Sequence, residues 1–161
     1  MVLLSFKAGL RAGEIAGLDW NMVLAADGTL AAWLSIGDKI TKYGRGRRVP
    51  MNAELRSALS RLHRVAGRPR SGPVIESQRG GHMKPRAVVN WFKSYYDHLA
   101  LQGCSSHSGR RTFITRSARL VAKAGGSLRD VQELAGHRSI TTTERYIEGD
   151  RDAQRKLVRM L

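Results

Sequence analysis

The sequence predicts a mostly helical α+β domain with a small antiparallel β-sheet near its N-terminus, and three observations predict it. Cap residues and breakers cut the chain from residue 52 onward into amphipathic helices. Between residues 22 and 50 two turn signals separate apolar stretches of strand type. At 161 residues and 42% hydrophobic content, the chain suits one compact domain with a core of its own.

In chain order, residues 1–8 resemble the last turns of a helix, which Gly9 breaks. "AGEIAGLDW" restarts a short helix that Gly17 ends. From Met22 to Pro50 strand is expected, with Asp27-Gly28 as one hairpin turn and the Gly-rich "GDKITKYGRGRRVP" as the next. Asn52 caps a helix to about Val65, and Pro85 in a first turn opens another to about Leu101. A helix over about Ser108–Ala124 follows, ended by Gly125-Gly126. Ser127 caps the next, Gly136 closes it, and Ser139 caps a helix expected to carry Tyr146. A last amphipathic piece places Ala153, Leu157, Met160 and Leu161 on one side.

The charge is the compositional signal. Lys and Arg number 28 against 13 acids, a net charge of +15, and such an excess opposes compaction unless a polyanion balances it. The basic residues fall in clusters within folded segments, which points to nucleic acid; a basic ribosomal-type or membrane-surface protein is the blander alternative. Cys104 is the single cysteine, so no internal disulfide can form and a reducing compartment fits. The apolar start, "MVLLSFKAGLRAG", is too short for a signal peptide or a membrane span, so a cytoplasmic location is expected.

No Walker-type loop, His-Glu-x-x-His or cysteine pair is present, and carboxylates are sparse before residue 144, so neither a metal nor a cofactor is expected. The helix from Ser108 is more informative. At 100° per residue, Phe113, Ile114, Ser117, Val121 and Ala124 form one face, with Arg110 in the middle of it and His107 on the same side. A cation facing the core at a helix N-terminus opposes the macrodipole and is costly without a partner. The partner is either an internal carboxylate or a bound phosphate, held by helix-end N–H groups, a guanidinium fork and an imidazole.

Three blocks, "GLRAGEIAGLDW" (9–20), "HSGRRTF" (107–113) and "LAGHRSITTTERYI" (134–147), resemble in order and spacing the tyrosine recombinases of the phage-integrase family. The resemblance implies that family's catalytic-domain fold. It matches the family's catalytic residues to Arg11, Lys42, His107, Arg110, His137 and Tyr146, with Glu14 as a supporting residue. Lys42 is preferred to Lys39 because it sits at the turn. Implied too is DNA strand breaking and rejoining by metal-free transesterification through a 3′-phosphotyrosyl link. An ordinary phenol of pKa about 10 is only about 0.3% ionised at pH 7.5, a deficit of about 3.4 kcal/mol, which a ring of Arg, His and Lys can offset.

The implied partner is double-stranded DNA, with Arg45, Arg47, Lys84, Arg86 and Arg111 as expected contacts. A homo-oligomer on DNA, through residues 152–161, is also implied. A non-catalytic DNA-binding module on the same scaffold is the alternative; residues 127–147 have a helix-turn-helix outline with Gly136 in the turn. Where many members have Asp-Leu, this chain has Ser108-Gly109, and glycine there is expected to loosen the turn that aims Arg110. The family's N-terminal DNA-clamping domain is not in this sequence, so residues 1–161 read as a catalytic domain truncated at its N-terminus.

Overall fold

The computed structural model describes residues 1–42, 44–147, 155 and 158–160. Helix α1 (Val2–Ala8) ends at Gly9, and α2 (Ala12–Ala16) at Gly17. Strands β1 (Trp33–Ile36) and β2 (Arg47–Pro50) follow, then α3 (Ala53–Val65), α4 (Pro85–His98), α5 (Ser108–Leu120), α6 (Leu128–Ala135) and α7 (Ile140–Glu144). Among the described residues no helix is long and apolar enough to cross a membrane.

The strands pair antiparallel, with Leu34 opposite Val49 and Ile36 opposite Arg47. Leu34, Ile36 and Val49 turn inward, as the two-residue period of a half-buried sheet requires. The sheet is smaller than the sequence suggests. The Asp27-Gly28 turn closes only one isolated bridge, Leu24 to Leu30, and 3-10 turns occupy Trp20–Met22 and Asp38–Ile40. Two helices also stop early: α4 at His98 and α5 at Leu120, the latter followed by a 3-10 turn over Ala122–Ala124.

Caps explain the remaining boundaries. Asn52 Oδ1 accepts from Leu55 N at 2.9 Å at the start of α3, and Asp130 Oδ2 accepts from Ser127 N at 2.7 Å at the start of α6. Helix α2 packs on α4, α1 on α5, and α6 on both α5 and α7. The main core gathers Leu10, Ile15, Leu18, Trp20, Leu34 and Phe92. A smaller cluster of Ile114, Val131 and Ala135, joined by Phe113 and Tyr146, lies between α5 and α6.

The expected C-terminal amphipathic piece and oligomerisation segment fall largely outside the described residues; Ala153, Leu157 and Leu161 are among those not described.

Candidate active site

A cleft of about 590 Å³ is lined by Arg11, Lys42, His107, Arg110, His137 and Tyr146, together with Arg111, Arg138, Ser139 and Thr142. Arg11 precedes α2, Lys42 follows the Asp38–Ile40 turn, His107 and Arg110 open α5, His137 lies between α6 and α7, and Tyr146 follows α7. The six residues matched in the sequence therefore line one cavity.

Arg11 is held at the base by Glu14. One carboxylate oxygen accepts from the Arg11 main-chain N at 2.8 Å, and the other from its Nη1 at 3.0 Å. Glu14 is only 1% exposed. Burial, the largest single influence, would raise its carboxyl, but the hydrogen bonds and charge of Arg47 and Arg11 prevail and hold it below the ordinary carboxylate range. A carboxylate inside the core thus holds the Arg11 guanidinium in place.

Arg110 is 4% exposed and, among the described residues, has no carboxylate hydrogen-bonded to it. Its Nη1 donates to the Gly9 carbonyl at the end of α1, and its Nη2 to the Ala135 carbonyl at the end of α6. Both acceptors sit at helix C-termini, where the backbone carries partial negative charge, so the fold itself offsets part of the cost of burying this cation. Burial, and then the neighbouring Arg11, push Arg110 down to about 9, which leaves it charged at pH 7.

His107 differs from expectation. It is exposed, and it precedes α5 as the N-cap rather than sharing the core-facing stripe with Arg110. The 100° rule holds only inside a helix, and the residue before it follows the incoming loop. His107 reaches the cleft from the solvent side.

His137 follows Gly136, whose left-handed φ of 62° turns the chain out of α6. Its Nδ1 lies 3.0 Å from Thr143 Oγ1, and its main-chain carbonyl accepts from Gln132 Nε2 at 3.0 Å. Burial, then the charges of Arg110, Arg11 and Arg47, push the imidazole down to about 4. His137 is neutral at pH 7. Its ring stacks with Tyr146, centroids 5.8 Å apart and planes 21° from parallel.

Tyr146 is not on a helix, because α7 ends at Glu144. It is half-buried, with its ring against the Ile114–Val131 cluster. Ile140 is half-buried as well, whereas Ile147 is exposed, so the seven-residue spacing does not define one packed face.

Of the expected DNA contacts, Arg45, Lys84, Arg86 and Arg111 are exposed. Arg47 is not. Its side chain is 6% exposed and bonded to Glu14 at 2.8 Å, which corrects its expected placement on the DNA-facing surface. Thr143, fully buried beside His137, is a site residue that the sequence reading did not single out; its signal was a threonine on the inner face of a three-threonine helix. Gly109 also departs from expectation. It is buried, and a Cβ there would lie 2.4 Å from Ser5 Oγ and 2.6 Å from the Phe6 ring. Its bareness lets α1 close on α5, so it tightens the element that aims Arg110.

The model of the phage integrase family matches residues 1–152. The chain belongs to that family. Among curated relatives, this integrase-family chain is 30% identical over 149 residues to the tyrosine recombinase XerC of Pseudomonas putida (strain W619), covering 91% of this chain and 46% of that one. With the XerC of Xylella fastidiosa (strain M23) it shares 33% over 147 residues, 91% of this chain and 47% of the relative. It spans about half the length of the curated relatives it matches. The fold is that of the XerA recombinase crystal structure, with TM-score 0.73 at 20% identity over 99% of this chain and 55% of that one. The Tn1549 transposon integrase, solved in complex with a circular intermediate DNA, also superposes at TM-score 0.73 with 22% identity, over 99% of this chain and 57% of that one.

Proposed function

We propose that this chain is the strand-cleaving domain of a tyrosine recombinase, which binds double-stranded DNA and exchanges strands through a covalent link to Tyr146. One observation carries the reading: six polar side chains from five separate segments line a single cleft.

In this reading a backbone phosphate enters the cleft between Arg11 and Arg110. The two guanidiniums contact its non-bridging oxygens and stabilise the charge that builds at phosphorus in the transition state. The Tyr146 oxygen gives up its proton, with His107 assisting, and forms the new bond to phosphorus. The bond from phosphorus to the 5′-oxygen breaks, and Lys42 protonates that leaving oxygen. One phosphodiester replaces another, so no external energy source is required. A 5′-hydroxyl from the same or a second strand reverses the step.

The neutral state of His137 gives it a defined part. If Nδ1 accepts from Thr143 Oγ1, the proton resides on Nε2, and the ring presents a donor to the phosphate without adding another cation.

The test is incubation with a suicide DNA substrate nicked beside a candidate site, or with supercoiled plasmid, in the presence of EDTA. The expected result is a covalent protein–DNA adduct or relaxation that Tyr146→Phe abolishes. DNA binding that Tyr146→Phe leaves intact, with no adduct from the parent chain even when an N-terminal DNA-binding domain is joined to it, would favour the non-catalytic module instead.

A further inference from the structure

Arg47 lies outside the six residues that would touch the phosphate, yet it links the segments that carry three of them. We propose that Arg47 is a positioning residue of this site, one that locks the Arg11–Glu14 pair and the end of α6 to the strand leading from Lys42. The proposal rests on reading the cleft as a DNA-cleaving centre.

All three faces of its guanidinium are engaged. Nη1 and Nη2 donate to the two oxygens of Glu14, each at 2.8 Å, and Nε donates to the Leu134 carbonyl at 2.9 Å. The planar fork suits this bidentate grip, which a lysine ammonium cannot reproduce. Its aliphatic stem crosses Gly136, where an added Cβ would lie 3.0 Å from Arg47 Cδ. Gly136 immediately precedes His137, and the carbonyl of Ala135, one residue earlier, receives Arg110. Arg47 itself opens β2, five residues after Lys42.

The consequence follows from burial. Glu14 is shut away from water and shares its two oxygens between Arg11 and Arg47. Without Arg47 that carboxylate keeps only Arg11. It then either re-aims Arg11 within the cleft, its charge still beside the phosphate, or takes up a proton and releases it. Arg47 is also the largest influence holding the Glu14 carboxyl down, ahead of Arg11. The same loss unties β2 from α6, so Lys42 and His137 lose their common anchor.

The test is single-turnover cleavage of the suicide substrate by the parent chain, Arg47→Met and Arg47→Lys. DNA affinity and its salt dependence are measured on the same duplex, and rates are normalised to the folded fraction by circular dichroism. Arg47→Met is expected to cleave about 100-fold more slowly, as misaligned groups do, with affinity and salt slope retained. Its rate should also acquire a new acidic limb that the parent lacks, as Glu14 takes up a proton on lowering the pH. Arg47→Lys, which keeps the charge, should recover only part of the rate and decides the matter if Arg47→Met fails to fold. Combining Arg47→Met with Glu14→Gln should cost less than the product of the two single losses, because the two share a contact.

A parent-like rate per folded molecule, a parent-shaped pH profile, or multiplicative losses in the double variant would overturn the positioning role. So would a salt slope shallower by about 0.9, which would make Arg47 a phosphate contact. If the parent gives no Tyr146-dependent adduct even when an N-terminal DNA-binding domain is joined to it, the reading of the cleft fails and this proposal with it. A normal parent adduct beside an indifferent Arg47→Met sinks the positioning role alone.

Discussion

His137 and Thr143 show how one buried hydroxyl can set the chemistry of a site. The imidazole sits at about 4 because it is buried and faces three arginines, so the free protein holds it neutral at pH 7. Thr143→Val keeps the shape of the buried side chain and removes the partner of Nδ1. We expect cleavage by Thr143→Val to fall about 10-fold, as when the partner that orients an active-site histidine is removed, with DNA affinity unchanged. The pair also sets a pH dependence. Between about 4 and the ordinary histidine value of 6.5, the unfolded chain binds a proton that the folded chain refuses, so stability falls as the pH drops through that window. Glu14 acts in the same direction at lower pH: its carboxyl is depressed in the fold, and the stability it contributes above its ordinary value is lost as it protonates. Resistance to urea should therefore weaken from about pH 6.5 downward, and His137→Gln should flatten the upper part of that decline.

At the scale of elements, the packing of α1 on α5 decides how Arg110 is aimed. Gly109 touches Ser5 and Phe6, and Gly9 lies under the Phe113 ring, where an added Cβ would sit 2.4 Å from Phe113 Cδ1. Gly109→Ala must part the two helices, so it should cost about 1–3 kcal/mol, read as a lower urea midpoint at unchanged slope. It should also slow cleavage, because the Arg110 bond to the Gly9 carbonyl spans that same interface. The existence of α3, α4 and α6 was legible from Asn52, Pro85 and Ser127, since capping and proline geometry are local. Their limits were less so. Tyr146 was expected on a helix, yet α7 stops two residues short of it, because a threonine-rich segment has little intrinsic helicity and tertiary contacts end it. The first hairpin shrank to one bridge for a related reason: Ala25 and Ala26 offer no cross-strand side chains to hold a longer ladder.

Across the whole molecule, a net charge of +15 asks for a polyanion, which we expect to lie along the exposed basic residues. Lys84 and Arg86, at the exposed start of α4, are separate in sequence from the cleft residues and belong to the same expected DNA surface as Arg45 and Arg111. Each of Lys84→Ala and Arg86→Ala should weaken DNA binding and reduce the magnitude of the salt slope by about 0.9, measured by titration at several salt concentrations. An unchanged slope would remove that residue from the interface. Arg47, with its fork spent on Glu14, should leave the slope as it is.

The sequence by itself determined the fold class, the family and the identity of the six cleft residues, because capping signals, turn residues and motif spacing are properties of the chain read in order. Only the tertiary structure decided what each residue leans on. Arg110 finds two helix-end carbonyls in place of a carboxylate, His107 comes in from solvent, and Arg47 turns inward to join β2, Glu14 and the end of α6. Helical periodicity tells which way a side chain points from its own axis. It does not tell which distant group will be waiting there, and for a buried charge that group decides both cost and role.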